Sequence, residues 1–175
     1  MKIIGIAGGS GAGKSTVCQT LIAQEPATFE VIHLDDYHRH RQEPGLPMLH
    51  GMINWDHPDI MRWDDLIHDV QRLRQGETFT IKTKDRADNP DYAQHRRTVS
   101  RVLQPKPVLL VEGYLALYKP ELRQLFDKTF YLELAHDDRM SRRDKGRLVG
   151  GDEYTRHVLI PMHERYVEPT KQYAG

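Results

Sequence analysis

Cysteine is nearly absent from this chain of 175 residues: Cys18 stands alone, so no internal disulfide is available and nothing in the composition asks for an oxidising compartment. A charge excess of either sign is absent too. Lys plus Arg number 25 and Asp plus Glu number 25, so no basic field advertises nucleic acid or an anionic membrane. Long apolar runs are missing, and no stretch would span a bilayer or act as a secretory signal. There is no internal repeat and no low-complexity tract. The expectation is a single cytoplasmic domain, residues 1–175, whose partner is a small molecule rather than nucleic acid or membrane; a homo-oligomer stays open.

What the chain does have is a regular alternation of apolar runs and polar punctuation. "KIIGIAGG" and "FEVIHLDD" read as buried parallel strands. Between them, "KSTVCQTLIAQ" sets Val17, Cys18, Leu21 and Ile22 on one helical face before Pro26 ends it, which makes a βαβ unit. After a polar loop containing Pro and Gly, Trp63, Leu66, Ile67, Val70 and Leu73 recur at helical spacing, with Asp64 and Asp65 at the positive N-terminal end and Gly76 closing the helix. "TFTIKT" and "RRTVSRVL" predict a β-ribbon around a long polar loop, "PVLLVEGYLAL" is the most strand-like run, and "KTFYLELA" predicts one more strand. A basic stretch runs from Arg139 to Arg147, and the tail from Asp152 reads as mainly helical, interrupted at Pro161 and Pro169. Strands alternating with helices predict an α/β fold with a mostly parallel sheet and ligands at the carboxyl ends of its strands.

"GGSGAGKST" lies between the first strand and the first helix. It comprises Gly8, Gly9, Ser10, Gly11, Ala12, Gly13, Lys14, Ser15 and Thr16, and its glycines bracket the four-residue gap of the phosphate-loop pattern. Glycines allow the tight turn that brings backbone N–H groups and a helix N-terminus onto phosphate oxygens. In that pattern Lys14 reaches the outer phosphates and Ser15 holds Mg²⁺. The first ligand is therefore a nucleoside triphosphate.

A guanine-reading Asn-Lys-x-Asp run and an Asp-x-x-Gly switch element are both missing, and the chain is short for a motor, which leaves a small kinase. A kinase needs an acid for its acceptor hydroxyl and cations for the transferring group. In "HLDDYH", Asp35 or Asp36 can face the phosphate loop, although an Asp pair also serves as a turn or cap. In "NWDHPDI", Trp55 offers a flat stacking surface and Asp56 an acceptor for a sugar diol, though either residue type is also common in a core or a turn. Glu112, ending "VLLVE", would hold Mg²⁺ through water. "HRH" at residues 38–40 lacks the companion ligands of a zinc site.

These segments, together with "VEGYLALY", "DDRMSRR" and "VEPTKQYA", resemble the uridine–cytidine kinase group of P-loop kinases, relatives of nicotinamide riboside kinase, phosphoribulokinase and type I pantothenate kinase. The phosphate loop is widely shared, whereas "NWDHPD" and "EPTKQYA" are particular to the group. The resemblance covers nearly the whole chain and implies a P-loop NTPase-type parallel sheet flanked by helices, with a substrate ribbon over residues 78–103 and an Arg-bearing lid over residues 139–151. It makes Asp35 the general base, Asp56 the acceptor for ribose hydroxyls, Trp55 the aromatic residue near the base, and Arg143 and Arg147 the phosphate-facing cations. Tyr37, Lys84 and His95 fall among the acceptor-side positions. The implied activity is transfer of the γ-phosphoryl group of ATP or GTP, with Mg²⁺, to the 5′-hydroxyl of uridine or cytidine. The alternatives are a kinase for nicotinamide riboside or another small metabolite, and a regulatory nucleotide-binding protein without turnover, against which Asp35, Asp56 and Glu112 speak.

Departures from the group fall at particular residues. Uridine kinases place a Tyr-Asp pair at the end of the first ribbon strand with a His soon after; here Lys84 precedes Asp85, and His95 is more distant. The lid run "SRRDKGR" is contracted, as in nicotinamide riboside kinases. The family adds a further strand after "KQYA", whereas this sequence ends at Gly175, implying a sheet one strand smaller or a sequence cut short of that strand.

Overall fold

The computed structural model describes residues 1–85, 88–144 and 151–175, with backbone alone at 93, 143 and 144. In chain order the elements are β1 (Lys2–Gly8), α1 (Lys14–Gln24), β2 (Phe29–His33), a short hairpin of β3 (Met48–Leu49) and β4 (Met52–Ile53), and α2 (Trp63–Arg74). Then come β5 (Phe79–Thr83), α3 (Tyr92–His95), β6 (Val99–Leu103), β7 (Val108–Glu112), α4 (Pro120–Arg123), β8 (Lys128–Leu132), α5 (His136–Asp144) and a helical arm over residues 151–173. The central sheet has the order β2-β7-β1-β8, and every pairing in it is parallel. This is the expected α/β architecture.

Side chains alternate across the sheet, so both faces are apolar and both are covered. Ile3 and Ala7 of β1, with Leu109 and Val111 of β7, face the α2 side, where Leu66, Val70 and Leu73 arrive from the helix at successive turns. Ile6, Val31 and Leu110 face Cys18 of α1. Each fully buried Leu or Ile stabilises the fold by about 1.5–3 kcal/mol. Val17 is a correction: Cys18, Leu21 and Ile22 turn toward the sheet, and Val17, one residue before Cys18 and so about 100° round the helix, is 40% exposed.

The apolar runs extend past the carboxyl ends of the strands they predict. After His33 the chain makes a helical turn over Leu34–Tyr37, and after Glu112 it leaves the sheet at Gly113 while Leu115 and Leu117 stay buried. Those early exits matter, because they turn side chains across the open edge of the sheet. The arm runs through Pro161 instead of stopping there. Wider π turns at Thr155–Leu159 and His163–Val167 flank it, easing the clash of the proline ring with the preceding turn, and the helix tightens to 3₁₀ geometry at Glu168–Tyr173.

The ribbon β5–β6 is antiparallel, with Phe79 opposite Leu103 and Thr83 opposite Val99. It is fastened to β2 by Glu30, which accepts from Arg101 Nη2 at 2.6 Å and from the Gln104 N–H at 3.1 Å. At the β8 edge, Gly175 and Thr129 exchange backbone hydrogen bonds at 3.0 and 3.4 Å. Among the described residues, no helix is long and apolar enough to cross a membrane.

Candidate active site

The loop leaving β1 closes onto α1 with Gly11 at φ 84° and the helix-capping Gly13 at φ 94°, left-handed conformations that a β-carbon would strain. Lys14 is 9% exposed, and its Nζ donates to the Gly9 carbonyl at 3.1 Å, folding the ammonium over its own loop. Burial pulls its pKa down, against the charges of Glu112 and Asp35.

Sheet register brings the next groups together. Glu112 of β7 is paired with Ile6 of β1 on one side and with His33 of β2 on the other. Its Oε1 accepts from Ser15 Oγ at 2.9 Å and from His33 Nδ1 at 2.6 Å. Burial alone would raise the Glu112 pKa, but the His33 hydrogen bond, the charges of Lys14 and His33 and the Ser15 hydroxyl overturn that and hold the carboxylate ionised. For His33, burial opposes protonation, and the Glu112 bond with the charges of Glu112, Asp85 and Asp36 outweighs it, so its pKa lies above the ordinary value. A hydroxyl and a carboxylate are hard oxygen donors that suit Mg²⁺, an ion that takes one or two protein oxygens beside phosphates and water. Among the described residues no cluster of three or more His, Cys, Asp or Glu side chains forms a competing cage.

The helical turn after β2 sends its two acids to different places. Asp36 is 6% exposed and accepts the Lys84 N–H at 2.6 Å, which fixes the end of β5; burial pushes its pKa up, against that bond. The Asp35 side chain is 68% exposed at the sheet's open edge. Lys84 Nζ donates to the Asp35 carbonyl at 2.8 Å, so this lysine lies on the Asp35 side of the ribbon, with burial lowering its pKa. Tyr37 is a correction: it is 3% exposed and its hydroxyl donates to Asp69 Oδ2 of α2 at 2.9 Å, so it packs in the core and presents nothing to an acceptor. His95 ends α3 and is exposed in the ribbon's loop.

Trp55 and Asp56 are clamped from the helical arm. The Tyr154 hydroxyl donates to Asp56 Oδ2 at 2.7 Å and accepts from the Trp55 N–H at 2.9 Å. The Tyr114 hydroxyl spends its proton on the Trp55 carbonyl at 2.7 Å, so at the 3.1 Å contact with His38 Nε2 the imidazole is the donor. Burial lowers the His38 pKa to about 4, which leaves a neutral ring protonated on Nε2, the nitrogen that stands 3.8 Å from Asp35 Oδ1. Sequence spacing gave no sign of Tyr154 or Tyr114 in these roles, because both reach the site from remote elements.

Arg139, in the first turn of α5, and His163 of the arm both pack against Gly9. Arg139 is 6% exposed, and its Nη1 has no hydrogen-bond partner among the described residues, a costly arrangement that an anion on the loop would complete. Burial, with the charges of Arg139 and Lys14, lowers the His163 pKa to about 4. An open cavity of about 550 Å³ lies beside them, between the end of β8 and the arm, with Tyr131, Arg139, Ile160 and His163 in its lining. Of the lid cations expected from sequence, Arg147 and the side chain of Arg143 lie outside the described residues.

The sequence pattern of the Phosphoribulokinase / Uridine kinase family matches residues 3–175. The chain belongs to this family. Within the phosphoribulokinase/uridine kinase family, a uridine kinase of Staphylococcus epidermidis is 34% identical over 182 aligned residues, spanning 98% of this chain and 84% of that protein. A uridine kinase of Chlamydia pneumoniae is 35% identical over 181 residues, spanning 99% of this chain and 79% of that protein. In fold the chain is similar to the structure of a possible uridine kinase from Bacillus stearothermophilus, with a TM-score of 0.63 at 17% identity over 98% of this chain and 83% of that one. As a member of the phosphoribulokinase/uridine kinase family, the chain is an ATP-dependent phosphotransferase.

Proposed function

We propose that the chain transfers the γ-phosphoryl group of ATP or GTP to the 5′-hydroxyl of a ribonucleoside, with uridine or cytidine as acceptor. The observation that carries this reading is the open edge of the sheet, where the phosphate loop with Lys14, the exposed Asp35 and the Tyr154-clamped Trp55–Asp56 pair are all presented. The names of the relatives support uridine.

In this reading Lys14 and Arg139 offset charge on the outer phosphates, the family pattern gives Arg143 and Arg147 the same task, and the cavity beside Gly9 takes the nucleoside part of the donor. Asp56, one oxygen held by Tyr154, accepts from the ribose hydroxyls, and Trp55 offers its face to the base. The 5′-oxygen forms the new bond to the γ-phosphorus while the bond to the β,γ-bridging oxygen breaks, and the hydroxyl proton passes to Asp35. A carboxylate is a weak base, but a loose transition state needs little early proton removal, so positioning contributes more than basicity. Ser15 and, through water, Glu112 would hold Mg²⁺, which when bound offsets charge on the outer phosphate oxygens. Lys84, on the Asp35 side, suits a neutral base rich in carbonyls and repels a cationic nicotinamide ring.

The test is ADP or GDP release across uridine, cytidine, nicotinamide riboside, pantothenate and ribulose 5-phosphate, with ATP or GTP as donor. Release that depends on uridine or cytidine is expected. Turnover confined to another acceptor overturns the nucleoside assignment, and ATP binding without turnover on any acceptor favours the regulatory alternative.

A further inference from the structure

His33 ends β2, whose other positions on the same face are Phe29 and Val31, and it is 4% exposed. Each of its ring nitrogens meets a carboxylate. Nδ1 lies 2.6 Å from Glu112 Oε1, the oxygen that also takes the Ser15 hydroxyl, and Nε2 lies 3.6 Å from Asp85 Oδ2. Asp85 directly follows Lys84, whose N–H is bonded to Asp36 and whose ammonium is bonded to the Asp35 carbonyl. The imidazole thus joins the acceptor-side ribbon to the carboxylate beside the phosphate loop.

We propose that His33 is a positioning residue: it holds Glu112 beside Ser15 and ties that carboxylate to the ribbon, so that acceptor binding and nucleotide binding reinforce each other. The identities of the two ligands rest on the kinase reading above; the bridge itself is observed geometry. Because the ribbon end and Glu112 meet at one imidazole, an acceptor that orders the ribbon also orders Glu112, and the coupling is reciprocal.

The experiment is calorimetry of Mg²⁺ with a non-hydrolysable ATP analogue, without and with saturating uridine, on wild type, His33→Asn and His33→Ala. An Asn amide nitrogen stands in for Nδ1 and keeps the Glu112 bond while giving up Asp85; Ala gives up both. Uridine is expected to tighten analogue binding about fivefold or more in wild type and less than about twofold in His33→Asn. His33→Ala is expected to need roughly tenfold more Mg²⁺ for half-saturation, as loss of an outer partner of a metal-holding group does. Thermal melts show whether each variant is folded, and if His33→Ala is not, the Asn variant decides. Wild-type tightening in His33→Asn, no tightening in wild type, or an unchanged Mg²⁺ requirement in His33→Ala overturns the proposal. Should uridine fail to bind wild type, the uridine assignment fails instead, and the acceptor that the release panel selects replaces it; if the panel selects none, the Mg²⁺ requirement of His33→Ala still decides whether Glu112 is positioned.

Discussion

Asp35 and Asp36 share a sequence context, and the structure gives them opposite environments, one exposed at the sheet edge and one buried against the Lys84 N–H. The residue pattern by itself leaves the pair unranked and only the family resemblance singles out Asp35, because the choice depends on where the strand ends, and a run of apolar residues marks that point only loosely. Asp35→Asn should lower kcat by at least about a hundredfold while leaving acceptor KM within a small factor, as expected for a group that acts only on the reacting hydroxyl. Asp56→Asn should raise acceptor KM instead, and by more for uridine than for 2′-deoxyuridine; equal losses for both nucleosides in steady-state kinetics would remove Asp56 from the diol. His38 gives a prediction in pH. Its folded pKa of about 4 lies below the 6.5 of a free imidazole, so as pH falls the unfolded chain takes up its proton first and stability is lost between about 6.5 and 4. His163, also held at about 4, adds to the same loss. His38→Gln should therefore flatten the fall of Tm across that window, and a variant whose Tm tracks wild type from pH 6.5 to 4 would contradict a buried neutral ring.

Among elements, the phosphate loop was fully legible, since its spacing, its glycines and its place between β1 and α1 are all local properties of the chain. The strands were legible as runs and their exits were not. The arm over residues 151–173 shows why part of the site stayed hidden. Pro161 predicts a break in its helix, yet the helix continues, and continuation is what places Tyr154 at Trp55 and Asp56 and His163 at Gly9. Such contacts come from packing between remote segments, which periodicity does not encode. The Tyr154 hydroxyl bonds a part-buried backbone N–H and a carboxylate together, so Tyr154→Phe should remove both hydrogen bonds and cost about 1–3 kcal/mol in acceptor kcat/KM, roughly fivefold or more. The loss should fall mainly on KM for uridine, with KM for ATP within a small factor. An unchanged uridine KM would mean that the arm does not organise the acceptor side.

At the scale of the whole molecule, the β5–β6 ribbon stands outside the central sheet as a separate two-stranded unit, and a lone antiparallel pair is marginal in water. Its attachment to β2 therefore helps decide whether Lys84 stays on Asp35 and Asp85 beside His33. Glu30 supplies much of that attachment. Its side chain is 5% exposed, it takes Arg101 Nη2 at 2.6 Å and the Gln104 N–H at 3.1 Å, and Lys106 stands 3.8 Å away, while Arg101 also reaches Asp88 at 3.2 Å. Removing Glu30 leaves the largely buried Arg101 with Asp88 as its remaining carboxylate, a loss of about 3 kcal/mol at the low end for breaking a buried ion pair. Glu30→Ala should lower stability by that order in denaturant unfolding and raise KM for the acceptor more than KM for ATP, because in the proposed reading the ribbon carries acceptor-side residues and reaches the phosphate loop only indirectly, through His33 and Glu112. Limited trypsin digestion should cut the variant first within the ribbon, at the Lys and Arg residues between Lys82 and Arg101. If stability falls while both KM values rise equally and cleavage is spread along the chain, Glu30 supports the sheet as a whole, and the ribbon is held to the site by other contacts.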